Sequence, residues 1–395
     1  MPEPTPFYPR TSQLCKSMQW RYWSGYFVPS SYEVHHDVEY YAIRNSAALI
    51  DITPLYKYDV TGPDASRLVD RVITRDVRKC TPGQVFYSVW CDEDGKVMQD
   101  GTVFRFSKDR FRFNAADPTY RWLQINALGM DVKIDDVTDK YAALALQGPL
   151  SREILKQLIH GTIDGLKFFR LTEELIGSIP VTISRTGYTG DLGYEIFVAT
   201  EDAVALYDIL MDVGKPYGIT PAGNLALDIS RIEAGFVLIE VDYISVEKAI
   251  IESQRYSPFE IGLGWTVSLD KDNFVGKRKL VEEKRRGSPR QLIGMEIRWE
   301  DLERAFQEEG LPPQLPSAAW RGGVPVFNGE RQVGKATSGC WSPVLKKYII
   351  LGTVETPYSK VGSTLEMEVT VEYKRKKVLG DVVKLPFFNP ERKRV

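Results

Sequence analysis

The 395-residue sequence predicts an α+β fold that ends in a small all-β unit. Three observations lead there. Strand-like and helix-like stretches are mixed, without the regular alternation of a doubly wound sheet. Two stretches in the first half carry strong hairpin signals. Between about residues 281 and 317 the composition turns charged and proline-rich ("VEEKRRGSPR", "EDLERAFQEEGLPPQLPS"), and beyond it short strands follow one another between turn residues. The expected units are residues 1–283 and 284–395.

"YKYDVTG" (56–62) alternates as a strand does, and "PDASRLVDRVI" (63–73) reads as a helix with Asp64 near its start. In "GQVFYSVWCDEDGKVMQDGTVFRF" (83–106) two β-rich halves flank Asp-Glu-Asp-Gly, a hairpin turn, and "RFRFNAA" (110–116) adds a third strand. Amphipathic helices over 118–129 and 149–160 bracket a buried strand, "YAALALQ" (141–147). Further helices over 201–214 and 221–235 stop at glycine. "SRTGYTGDLGYEIFV" (184–198) spaces its glycines as G-x-x-G-x-x-G with no lysine after them, which fits neither a P-loop nor a dinucleotide fingerprint. Strands on both sides make it a hairpin loop able to project Tyr188 and Glu195 from a rigid base. "GLGWTV" (262–267) begins like a dinucleotide motif, lacks the third glycine, and reads as the start of a buried strand. In the last unit "GGVPVFNGERQVGKATSGCWSP", "KYIILGTVE" and "TLEMEVTVEYKRKKVLGDVVKL" are strand-rich, as in a barrel or sandwich.

Hydrophobic residues at 43% and charged ones at 26% fit a soluble globular protein. A net charge of −2 leaves no nucleic-acid footprint, so the basic runs at 284–290, 373–377 and 391–395 read as solvated surface or tail. The N-terminus lacks the apolar core of a signal peptide, and no run approaches the ~20 apolar residues of a membrane span. The scattered Cys15, Cys80, Cys91 and Cys340 read as reduced thiols, so a cytoplasmic protein is expected. His35, His36 and His160 fall outside metal-ligand spacing, and no metal site is expected.

Seven stretches in order resemble the tetrahydrofolate-dependent aminomethyltransferase family, which includes the glycine-cleavage T-proteins and related folate-dependent demethylases. They are "EYYAIRNSAALIDITPLYKYDVTGPDA", "GQVFYSVWCDEDGKVMQDGTV", "ALQGPLS", "SRTGYTGDLGYE", "RIEAGFVL", "SPFEIGLGWTVSLDKDNFVGK" and "ATSGCWSP". The resemblance implies a three-lobed cloverleaf, two α+β lobes and a β-barrel lobe around a folate site. It places Glu195 on the pterin, where a carboxylate can accept a flat pair of N–H donors. It sets Tyr87, Tyr188, Asn114 and Leu55 around the same ligand. Asp100 in "GKVMQDG" matches a catalytic carboxylate near N5 of the folate, where it can hold the amine and manage its proton.

Two departures concern the donor side. Gln99 replaces the first acid of the family's pair, and Leu227 stands where glycine-cleavage T-proteins carry arginine. Gln99 and Leu227 are therefore the expected substrate-side residues. Leu55 similarly replaces a methionine. These changes favour a demethylase taking a small methylated donor over an aminomethyltransferase acting on a lipoyl carrier protein, which stays as the alternative. A non-catalytic iron–sulfur maintenance branch needs a cysteine that "SQRYSPFEIGLG" lacks, and a flavin-oxidase module would carry a flavin domain's glycine fingerprint.

Overall fold

The computed structural model describes residues 1–159, 161 and 163–394, so the histidine at 160 lies outside the described residues. The chain forms two large sheets and a closed barrel, with a small three-stranded sheet (Glu3–Pro4, Trp20–Trp23, Tyr26–Pro29) at the N-terminus that no sequence signal announces. The first large sheet has six strands in the order Leu171–Ile176, Ile179–Ser184, Gly193–Ala199, Tyr141–Gln147, Ala47–Asp51, Ile219–Pro221. The second has five, Gln84–Cys91, Val97–Arg105, Arg110–Ala115, Tyr56–Thr61 and Lys133–Asp136. The chain leaves the six-stranded sheet after Asp51, builds the five-stranded one, and returns at Tyr141, so the two lobes interleave. Arg290–Ile297, Lys347–Glu355, Arg331–Ser342, Trp320–Asn328, Thr364–Val371 and Lys374–Val383 close the barrel. The position expected for the unit boundary, 283, falls inside the helix Lys277–Arg286, and the first barrel strand starts at Arg290.

Strand alternation explains where the lobes meet. On one face of the six-stranded sheet Leu144, Leu146, Tyr194, Ile196 and Val198 pack against the helices Ser151–Leu158 and Ala203–Gly214. The other face presents small residues (Ala48, Ala143, Ala145) and Phe197 toward the helices Asp37–Asn45 and Asn224–Glu233. Val85 and Phe104 of the five-stranded sheet and Cys340, Ile349 and Leu351 of the barrel join the same cluster. Three lobes thus share one core, with alanines on its floor.

Buried charge fastens the joint. Glu233 accepts from Tyr40 (2.5 Å), from Arg44 through two nitrogens (2.5 and 2.9 Å) and from Ser342 of the barrel (2.5 Å). With Glu233 and Arg44 almost solvent-free, removing either partner leaves an unpaired buried charge, at a cost of about 3–5 kcal/mol.

Three local expectations change. "GLGWTV" forms a 3-10 turn, Gly264–Thr266, with Trp265 63% exposed, because the backbone N–H groups of Leu263 and Thr266 bond back to Pro258 and Leu263. The basic runs are partly docked: Arg290 bonds Glu260 at 2.7 Å and two carbonyls, and Lys376 pairs with Glu308 and Glu309. The C-terminal segment folds back, Arg392 gripping the buried Asp191 at 2.6 and 2.8 Å. Composition cannot show such pairing, since the partner carboxylates lie far away in sequence. The four cysteines are free and buried, and no helix among the described residues is long and apolar enough to cross a membrane.

Candidate active site

The glycine-bearing loop lies at this joint, between the antiparallel strands Ile179–Ser184 and Gly193–Ala199. Gln147 holds it: its Nε2 donates to the carbonyls of Thr186 and Tyr194 (3.3 Å each), and Thr189 donates to its Oε1 (2.8 Å). A Cβ at Gly187 or Gly193 would run into that Gln147 side chain, and one at Gly190 (φ +73°) would come within 2.5 Å of Ala234. The glycines therefore let the loop lie against "ALQG" and "RIEAG" rather than wrap a phosphate.

Glu195 stands opposite Ala145 and Ser184, half-buried on the alanine face. One of its oxygens accepts from Thr186 at 2.5 Å, and Thr186 also pairs with Ser184. Burial raises the Glu195 carboxyl above its ordinary range, while the two hydroxyls oppose that shift. Tyr188 stacks on Phe236 (5.6 Å between centroids) and donates to the Val237 carbonyl at 2.5 Å.

The five-stranded sheet supplies the facing wall. Tyr87, Thr102 and Asn114 lie in register across three strands, with Asp100 two residues before Thr102. Tyr87 donates to Asp100 Oδ2 at 2.6 Å, and Tyr243 donates a very short hydrogen bond to Oδ1. Burial raises the Asp100 carboxyl, and both phenol donors resist the shift by favouring the ionised form. Asn114 donates to Thr102 at 3.2 Å, but its Oδ1 is buried with no hydrogen-bond partner among the described residues. An orphan acceptor of this kind suits a donor that the protein does not itself provide.

Lys57, opposite Asn114, is fully buried, and among the described residues its Nζ donates to the carbonyls of Thr53 and Leu55 alone (2.8 and 2.7 Å). Desolvation pulls its pKa down to about 7. The unfolded chain, with a lysine pKa of ~10.4, binds more protons between these values, so this group makes stability rise with pH from about 7 to 10. Urea unfolding should show a steeper rise over that window in the wild type than in Lys57→Met. Parallel profiles would mean that Lys57 titrates normally.

The structure brings Asp100, Tyr87, Asn114, Tyr188, Glu195, Leu55 and Leu227 to the junction, the two leucines packing on the shared core. Gln99 behaves differently. Its strand neighbour Asp100 takes the site face, and Gln99 lies opposite Trp90, its amide engaged with Asp117 O and Asp100 N (3.1 Å each). That side chain braces the backbone instead of facing a substrate. The apolar Leu227 does not leave its surroundings uncharged either, for Arg21 and Arg321 both reach the adjacent Asp228.

Sequence reasoning missed Tyr243 and Trp265. Tyr243 follows the apolar run "FVLIEVD" in an irregular segment where periodicity gives no orientation. Trp265 stacks beside Tyr87 at 6.0 Å, with Arg75 5.7 Å over its ring.

Two family descriptions cover the chain: the GCVT N-terminal domain matches residues 11–271, and the glycine cleavage T-protein C-terminal barrel domain matches 310–389. The chain belongs to the GCVT family. Similar curated proteins are the aminomethyltransferase of Halothermothrix orenii, 33% identical over 353 residues (88% of this chain, 90% of that one), and that of Lysinibacillus sphaericus, 33% identical over 369 residues (92% of each). The trimethylamine-oxide aldolase of Ruegeria pomeroyi is 34% identical over 90% of this chain, a match that spans 43% of the aldolase. Glycine cleavage system aminomethyltransferase T from Bartonella henselae superposes with a TM-score of 0.83 over 98% of this chain and 99% of its own, at 23% identity, which shows the shared fold.

This GCVT-family protein is therefore an enzyme. Its chain holds a half-buried carboxylate with a phenol on each oxygen. Tyr243→Phe removes one of them, a hydrogen bond to a charged group worth about 1.5–3 kcal/mol, so kcat/KM should fall roughly 10- to 150-fold. The acid limb of the pH–rate profile should also move to higher pH, because the lost bond favoured ionised Asp100. An unchanged profile would separate Tyr243 from the chemistry.

Proposed function

We propose that this protein transfers a one-carbon unit from a donor to N5 of tetrahydrofolate. The observation that carries the reading is Asp100, set on the five-stranded sheet with Tyr87 and Tyr243 fixing both of its oxygens. The donor and acceptor groups present suit a pterin: Glu195 and the unpartnered Asn114 Oδ1 are hydrogen-bond acceptors, Tyr188 and Tyr87 offer stacked rings, and Leu55 adds apolar surface. Bound tetrahydrofolate supplies the amine that accepts the carbon. Asp100, when ionised, can stabilise positive charge close by or accept a proton at its carboxylate. Glu195 orients the ring, and the apolar joint excludes water.

The names of the relatives favour an aminomethyl donor on a lipoyl carrier protein over the demethylase preference drawn from Leu227 and Leu55. The demethylase remains a second reading, supported by those two leucines on the shared core. Reduced thiols suit a cytoplasmic setting for either. Mass spectrometry of folate products separates them, with the loaded carrier run beside small methylated amines, sulfonium compounds and methoxy-aromatics. The carrier should yield 5,10-methylenetetrahydrofolate. 5-Methyltetrahydrofolate from a small donor, with none from the carrier, would select the second reading.

A further inference from the structure

We propose that Thr337 and Ser338 of the barrel are positioning residues that, through Asp242, hold Tyr243 against Asp100. The inference rests on the reading of Asp100 as the transfer centre. Both hydroxyls lie in "ATSGCWSP", the barrel stretch whose other serine, Ser342, donates to Glu233. On a regular strand two successive side chains point to opposite faces. Here Ala336 lies opposite Gly352 and Ser338 opposite Leu351, which leaves Thr337 as an extra residue in a β-bulge. The bulge turns both hydroxyls to one oxygen: Thr337 donates to Asp242 Oδ1 at 2.6 Å and Ser338 at 2.7 Å. The other oxygen, Oδ2, accepts from Arg231 Nη1 at 2.6 Å and from the Leu238 backbone N–H at 2.8 Å. Ser338 in turn accepts from Arg231 Nη2 at 2.8 Å. Thr337, Ser338, Asp242 and Arg231 are each at most 1% exposed, so solvent does not compete for these bonds.

Asp242 is the fixed point of an irregular segment with a site contact at each end. At its start the Val237 carbonyl accepts from Tyr188, and directly after Asp242 comes Tyr243, whose phenol donates to Asp100. Between them the chain turns tightly. The Asp242 N–H bonds the Leu238 carbonyl (2.8 Å), the Glu240 N–H bonds that of Tyr243 (2.7 Å), and Glu240 sits at φ +64°. That left-handed conformation is unfavourable for a residue with a Cβ, and it persists where surrounding contacts over-determine it. The four bonds to the Asp242 carboxylate are such contacts, and two of them come from the barrel. The aim of Tyr243 thus depends on hydroxyls in a lobe apart from the sheet that carries Asp100.

Ionisation of Asp100 follows this alignment, because Tyr87 and Tyr243 favour its charged form, Asp117 opposes it, and Tyr188 lies within electrostatic reach. In ¹³C NMR of protein labelled at the aspartate carboxyl carbons, the Asp100 signal is the one missing from Asp100→Asn. Tyr243→Phe should move its titration midpoint up by about 1–2 pH units, the equivalent of one hydrogen bond to a charged group. Thr337→Val combined with Ser338→Ala should move it in the same direction, and should add nothing in a Tyr243→Phe background. Thr337→Ser, which keeps a hydroxyl, should titrate as the wild type does. Thr337→Val alone, with Ser338 and Arg231 still on Asp242, gives the same comparison where the double variant does not fold. A wild-type midpoint in either folded variant would overturn the proposal. So would an undiminished rise in the Tyr243→Phe background, as a general loosening of the fold would produce. Turnover with the loaded carrier protein keeps the two readings apart. Full turnover in Asp100→Asn would remove the transfer centre, while the coupling seen by NMR would still establish the positioning.

Discussion

Asp100→Asn should lower turnover by about 10²–10⁴ while leaving tetrahydrofolate affinity nearly unchanged. The substitution keeps the shape and removes the charge that Tyr87 and Tyr243 are arranged to meet. One phenol can still donate to the asparagine oxygen, and the other can accept from its amide, so the local packing survives. Burial already disfavours the ionised carboxyl of Asp100. Its folded pKa is therefore raised, and neutralising it should not reduce stability at neutral pH, where the charged form is the costly one. Loss of turnover with an equal or higher Tm is the expected pair of results. In the wild type the activity that needs ionised Asp100 should fail as pH drops through a value above the ordinary aspartate range, and that limb should vanish in the variant. A variant that keeps most of its turnover would make the carboxylate structural.

Glu195→Ala should weaken tetrahydrofolate binding by roughly 2–4 kcal/mol, the loss of hydrogen bonds to a charged acceptor together with unpaired ligand donors. The side chain is a poor candidate for a stability role. It faces the alanine floor at Ala145, its internal partners are the hydroxyls of Thr186 and Ser184, and burial penalises its charge. Its removal should therefore cost affinity without a matching fall in Tm. Titration calorimetry giving the wild-type affinity would place the pterin elsewhere.

Local pattern carried most of the elements into view. The apolar run "YAALALQ", the turn in "CDEDGK" and the glycine stops of the helices depend on neighbours a few residues away, which is the range over which local pattern works. The hairpin loop around Tyr188 was legible for the same reason, and its glycines turned out to serve Gln147 and Ala234. What escaped depends on distant partners. Tyr243 reaches Asp100 across 143 positions, and Arg321 reaches Asp228 across 93. The Leu227 substitution suggested a site short of cations, an inference that holds only if no other segment supplies them. Gln99 shows the opposite error, since a residue beside a candidate catalytic aspartate on a strand points to the other face of the sheet.

The claim that N5 of the folate sits against Asp100 can be tested by ¹⁵N NMR with tetrahydrofolate labelled at N5. Binding to the wild type should shift the N5 resonance and make it titrate with Asp100. The Asp100→Asn protein should bind the ligand with similar affinity, yet give a different N5 shift that no longer follows that titration. An N5 resonance with the same shift and pH dependence in both proteins would contradict the account.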